Sequence, residues 1–384
     1  MTTRYFVLSA VSATMLMFAG CGDKAPETNT EVSATGAEST VTAQDNSTLT
    51  INNGAEIASL DPHKTGGVPE SNVARQQFIG LTTTDVDGNL IGGVAEHWES
   101  DDNLVWRFHL KDTKWSDGSP LTADDVVFSL QRVVDPDTAA NFANYLADAK
   151  ILNALDIIEG KKDKSALGVK ALDDKTIEIT LAEPVPYLPE ILTYTAARIV
   201  PKAVVTAFGD DWAKPENIVI NGAYKIKDWH VGEKMVFEKN PHHYDADKVK
   251  IQNLVILPID SGVADFNRYQ AGEIDITYTD VPSELLVAAS SNEVKTAPGF
   301  CSYYYEMNVD KPPFDDVRVR RALTMALNRD IITEKVAARG ETPAYQMTPV
   351  VTKNNPNYEP AWAKLSFDER VAEAKKLLLS LIHI

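Results

Sequence analysis

The sequence predicts a mixed α/β or α+β protein of two or more lobes, and three observations carry that expectation. At 384 residues the chain exceeds what one ordinary hydrophobic core supports. Its 44% hydrophobic and 24% charged residues are those of a soluble globular protein. Alternating, strand-like segments and helical ones follow each other without the regular spacing of repeated βαβ units, so long excursions are expected between them. The sequence shows no internal repeat.

Taken in order, the first twenty residues read as an export signal. Arg4 is the positive start, and "YFVLSAVSATMLMFAG" is an apolar run too short and too early for an ordinary membrane span. It closes on "FAGC", small residues before Cys21 in the manner of a lipobox, although Phe18 stands where leucine is usual. Residues 1–21 are therefore expected to be a lipoprotein signal, with Cys21 carrying the lipid. Residues 22–46, rich in Thr, Ser, Ala and Glu and without aromatics, cannot bury enough apolar surface to offset their ordering entropy; they read as a disordered tether. No later run approaches the ~18 apolar residues of a spanning helix.

Folded sequence begins near Leu49 with a strand and a turn at Asp61-Pro62. "VWRFHL" (105–110) puts Trp106, Phe108 and Leu110 on one face of a half-buried strand. Thr122 and Asp125 form a capping box for a helix carrying Val126, Val127, Leu130 and Val133. "KTIEITLAEPVP" alternates with Ile177, Ile179 and Leu181 inward, and two strands joined at Gly232 follow. The longest predicted helix covers 316–339, capped by Asp315 or Asp316 and stopped at Gly340, with Val319, Leu323, Ala326, Leu327, Ile331 and Val336 on one face. A last helix starts at a Ser366/Glu369 capping box.

The net charge of −18 argues against nucleic acid and anionic membrane surfaces as partners. Nucleophile-elbow, zinc-protease, Walker-A and dinucleotide-binding motifs are missing, so no catalytic residue, metal or cofactor is expected. His242-His243 cannot easily chelate one ion, because neighbours on a strand face opposite ways. Asp124-Asp125 and Asp315-Asp316 stand at helix N-termini, where capping accounts for them. Tyrosines gather beside turns: Tyr145, Tyr187, Tyr278 and Tyr303-Tyr304-Tyr305. In "CSYYYE" the two faces of an extended segment both carry tyrosine, which suits a strand lining a cleft or crossing between lobes. The residues alone describe an exported, lipid-tethered, multi-lobed protein without a catalytic signature, which favours a binding protein over an enzyme.

Several segments in fixed order resemble the extracytoplasmic solute-binding proteins of ABC transporters, peptide/nickel group. They include "VWRFHLKDTKWSDGSPLTADDVVFSLQRVVDP", "NGAYKIKDWHVGEKMVFEKNPHHYDA", "YQAGEIDITY" and "PPFDDVRVRRALTMALNRDIITEKV". Within the group "GVPESN", "CSYYYEMN" and "RGETPAYQMTP" are most similar to the periplasmic oligopeptide-binding proteins. The resemblance implies the two-lobed periplasmic-binding-protein fold of class II type, with an extra inserted domain. It further implies a monomeric periplasmic receptor that closes on an extended oligopeptide and delivers it to ABC permease subunits. Backbone hydrogen bonds would carry affinity, and hydrated pockets would tolerate many side chains.

By the same resemblance Gly67, Val68 and Pro69 would offer backbone partners, while Phe142, Tyr278 and Tyr304 match cleft positions. Ala337 stands where relatives place a lysine for the peptide carboxylate. Lobe I is expected over 47–78 and 202–300, the inserted domain over 79–201, and an incomplete third lobe over 301–384. Relatives continue beyond "ERVAEAKKLL", so the sequence is expected to be a C-terminally truncated copy ending in foreign or frame-shifted "LSLIHI". Cys301 then reads as half of a disulfide whose partner is missing. Murein peptides, dipeptides or a nickel-type ligand are alternative cargoes. An exported hydrolase and a structural lipoprotein or adhesin are the readings from other classes.

Overall fold

A computed structural model describes residues 47–382 except 279–280, 287–292, 298 and 353. The expected signal, Cys21 and the whole of the tether lie outside the described residues. Two sheets organise the first three quarters of that span. One is four-stranded in the order β1 (Thr48–Asn52), β10 (Asn253–Leu257), β9 (Lys234–Lys239) and β8 (Tyr224–His230). β1 runs parallel to β10, and the other two pairs are antiparallel. The other sheet has the order β4 (Ala95–Glu99), β5 (Val105–Leu110), β7 (Thr176–Thr180) and β6 (Val169–Asp173), antiparallel throughout. A short ribbon, β2 (Thr82–Thr84) with β3 (Leu90–Gly92), stands beside it.

Each sheet has its own core. In the second, Trp106, Phe108 and Leu110 of β5 and Ile177 and Ile179 of β7 are buried, as alternation predicts, under helix α2 (Ala123–Val134). α2 begins at the expected capping box, with the Thr122 amide donating to Asp125 Oδ2 at 3.1 Å. Asp125 also accepts from Trp115 Nε1 at 3.2 Å and from the Lys202 amide at 3.0 Å. Burial nonetheless raises its carboxyl above the ordinary value. Asp124 beside it pairs with Lys202, so both acidic residues serve the helix start. The first core packs Phe78 edge-on against Trp212 at 5.9 Å, over Met235, Phe237 and Ile256. β8 and β9 turn at Gly232, whose φ of +75° is the left-handed region that favours glycine.

A buried ionic joint ties the two cores together. Arg132, on α2, donates to both carboxylate oxygens of Asp61, at 3.1 and 2.6 Å. The same guanidinium lies 2.8 Å from His63 Nδ1, and His63 Nε2 lies 2.9 Å from the Arg198 carbonyl. An arginine only donates and a carbonyl only accepts, so His63 is the neutral tautomer with its proton on Nε2. Trp212 Nε1 completes the set at 3.3 Å from Asp61.

The remaining residues form a small unit. Helix α4 (Val317–Ala326) packs Ala322 and Met325 against Ala374 of α5 (Phe367–Ile382). Asp316 caps α4 by accepting from the Arg318 amide at 2.7 Å, and Ser366 and Glu369 form the expected reciprocal cap of α5. Two other helices used below are α1 (Val68–Gln77) and α3 (Gly262–Gln270).

Two expectations are corrected here. The single helix over 316–339 stops at Ala326, because Leu327 turns extended (ψ 122°) and Asn328 caps a fresh turn through the Ile331 amide. Arg329 supports the break, donating to the Thr324 carbonyl at 2.9 Å and lying over the Tyr345 and Trp362 rings. Leu323, Leu327, Ile331 and Val336 are consequently exposed, and the buried stripe is Val319, Ala322 and Met325. "CSYYYE" is the second. It keeps the alternation, with the Tyr303 and Tyr305 rings meeting at 6.2 Å, but no described strand pairs with it. Ladder bonds need a neighbour, and without one the tyrosines stay in solvent.

Candidate functional site

The residues before and within the first turn of α1 define the site. Gly67 is the N-cap of α1 with Pro69 just inside, and the Gly67 carbonyl accepts the Ser71 amide at 3.1 Å. Helix starts leave amides without internal partners. Among the described residues the N–H groups of Gly67, Val68 and Glu70 donate to no protein acceptor. Val68 is exposed. This turn is therefore a row of free backbone donors on a rigid support.

Neighbouring segments hold the turn from both sides. Asn53 Nδ2 donates to the Pro69 carbonyl at 3.0 Å, while Asn72 Nδ2 donates to Asn53 Oδ1. Asn141 Nδ2 donates to the Lys64 and Thr65 carbonyls at 2.9 and 3.1 Å, which sets Phe142 next to the Gly66-Gly67 segment. Phe142 meets Tyr194 edge-on at 5.5 Å, and Tyr194 lies 4.4 Å from Tyr145. On the far side Tyr278 closes against Gly54. Its amide donates to Asp265 Oδ2 at 2.7 Å, and burial raises that carboxyl above its ordinary value. Residues 275 and 276 hydrogen-bond to the Thr50 carbonyl and Ile276 bridges to Ile51, so this segment extends the open edge of β1 just before Tyr278.

A methyl group on Gly54 would come within 2.5 Å of the Tyr278 ring, and Gly54 has φ +77°. Gly88 has a similar φ of +81° with nothing within 4 Å. Gly54→Ala is expected to cost the left-handed strain of about 1–2 kcal/mol plus a clash, whereas Gly88→Ala costs the strain alone. Urea unfolding of the pair measures the difference, and equal losses would contradict the contact.

Tyr278, Gly67, Val68, Pro69 and Phe142 thus stand near the start of α1 and the edge of β1. Tyr304 stands apart from them, making no hydrogen bond or ring contact among the described residues and 55% exposed. Cys301 is free and exposed; Cys21, the other cysteine, lies outside the described residues. His243 Nδ1 accepts the Asp245 amide at 3.3 Å, a local turn contact. Among the described residues no cluster of side chains could hold a metal, and no helix is long and apolar enough to cross a membrane. Sequence reasoning missed Asn53, Asn141 and Tyr194. Only their tertiary partners give them a role, and the sequence gives no signal for those.

Beyond Tyr194 lies a pocket of about 430 Å³. Arg75, Arg198, Thr83, Thr193 and Tyr244 line it, together with Tyr194 itself. Burial, then the neighbouring Arg75, lowers the Arg198 pKa to about 10.

Residues 89–380 match the family model "Bacterial extracellular solute-binding proteins, family 5 Middle". The chain is 53% identical over 338 residues to the periplasmic oligopeptide-binding protein OppA of Salmonella typhimurium, covering 87% of this chain and 62% of that protein. It is 42% identical over 327 residues to the periplasmic murein peptide-binding protein MppA of Escherichia coli, covering 84% of this chain and 60% of the relative. This chain therefore spans less than two thirds of their length. The crystal structure of Haemophilus influenzae OppA in complex with RPPGFSPFR superposes with a TM-score of 0.75 at 42% identity, covering 88% of this chain and 67% of that one. The fold described above is thus that of a class II periplasmic binding protein.

Proposed function

As this chain belongs to the bacterial extracellular solute-binding proteins of family 5, we propose that it is a periplasmic receptor for oligopeptides serving an ABC importer. The observation that carries the reading is the open first turn of α1. Its free amides, flanked by Phe142 on one side and Tyr278 on the other, offer an extended peptide the main-chain bonds of an added strand. The similarity to a protein solved with a nonapeptide supports the same reading. Within it, 47–78 and 202–300 form lobe I, 79–201 the inserted domain and 301–384 part of a third lobe. Cys21 carries the lipid anchor, the receptor works as a monomer, and Cys301 is half of a structural disulfide. It catalyses nothing; its work is capture and release.

Murein peptide is the second reading, favoured by the 42% identity to the murein peptide-binding relative. Calorimetric titration of the protein with tri-, tetra- and pentapeptides, and with a murein tripeptide, separates the two. Micromolar or tighter binding of several ordinary peptides is expected. Binding of the murein peptide alone would replace the first reading by the second, and binding of none would refute both.

A further inference from the structure

We propose that the pocket beside Tyr194 is a second site, for a small oxyanion such as a carboxylate or phosphate group, gripped by Arg75 and Arg198. Arg198 is only 5% exposed, and its Nε has no hydrogen-bond partner. Among the described residues neither its guanidinium nor that of Arg75 makes an ion pair, and no acidic residue lines the pocket. The chain has 55 acidic and 37 basic residues, yet none of the acids is placed beside this buried guanidinium. Taking an unpaired charge out of water is costly, and a second guanidinium beside it adds repulsion. A bound anion would relieve both terms.

The lining suits an oxyanion better than a halide. A guanidinium presents parallel N–H donors that match two oxygens of one carboxylate or phosphate. Thr83, Thr84 and Thr193 bring hydroxyl donors to the same walls. Tyr244 adds another, since burial raises its pKa and keeps its proton in place at neutral pH. Lys111 lies over the Tyr244 ring at 4.1 Å, its ammonium held by the Gly92 and Gly93 carbonyls and its charge opposed by Asp245 and Glu96. The proposal does not depend on peptide capture.

Thermal melts with sodium phosphate and with sodium acetate, against sodium chloride at equal ionic strength, test it directly. The prediction is a saturable rise in melting temperature with phosphate, acetate or both, beyond that in chloride. Arg75→Gln, at an exposed position, should weaken the apparent affinity at least tenfold. Arg198→Met should melt in chloride no lower than the parent and lose the response altogether. No rise beyond chloride, or an undiminished rise in Arg75→Gln, overturns the site. Peptide titrations run in chloride buffer are unaffected by either result.

Discussion

Replacing Arg132 with alanine is expected to lower stability by about 3–5 kcal/mol, because it strands the Asp61 carboxylate in the joint between the cores. Both side chains are nearly inaccessible, 10% and 4% exposed, so water cannot take over the lost bonds. The ion pair itself is no proof of net stability, since two buried charges cost desolvation that their attraction only partly offsets. The asymmetry is what matters: one partner left alone is far worse than both removed. Asp61→Leu combined with Arg132→Met should therefore lose much less than the sum of the single changes. Urea unfolding of the three variants reads this out, and strictly additive losses would show that the residues do not act as a unit.

Acid should loosen the same joint. Burial lowers the His63 pKa from 6.5 to about 4, with Asp61 opposing and Arg132 assisting. The unfolded chain thus takes up a proton near pH 6.5 that the folded chain refuses until about pH 4. Stability falls across that window as pH falls, by roughly 3 kcal/mol when complete. Protonation at Nδ1 would set an N–H against the Arg132 guanidinium, which is the local reason for the refusal. Asp61 acts in the same sense. Burial alone would raise its carboxyl, but the Arg132 hydrogen bond and the nearby charges outweigh that and lower it. Its contribution is also lost toward low pH. His63→Gln keeps an acceptor for Arg132 and a donor for the Arg198 carbonyl without titrating. Its stability should be nearly flat between pH 6.5 and 5 where the parent's falls, and parallel curves would remove His63 from the account.

Local patterns were the readable part of this fold. Period-two burial placed Phe108 and Ile177 correctly, and capping chemistry located the starts of α2, α4 and α5. Where the answer depended on a distant neighbour, reading failed. The helix over 316–339 looked continuous because nothing in its own residues shows that Arg329 would be drawn to Tyr345 and Trp362. "CSYYYE" has a strand's alternation, but pairing is a property of two segments. The site divides in the same way. Gly67, Val68, Pro69, Phe142 and Tyr278 were named as candidates through family likeness, and they stand near the start of α1 and the edge of β1. Asn53 and Asn141, which hold that region in place, are ordinary polar residues until their carbonyl partners arrive from 16 and 77 positions away. Arg198 is unreadable for the same reason: what marks it is the lack of an acid around it in space.

The central claim is that main-chain donors at the start of α1 hold the cargo and side chains matter little. Calorimetry on a set of tetrapeptides of equal length and varied side chains, each paired with a depsipeptide copy whose backbone esters are weaker carbonyl acceptors, tests it most directly. The account predicts affinities within about tenfold across the parent peptides and at least a tenfold loss in the ester copies, a difference of about 1.4 kcal/mol. Parents that bind no better than their ester copies would contradict it.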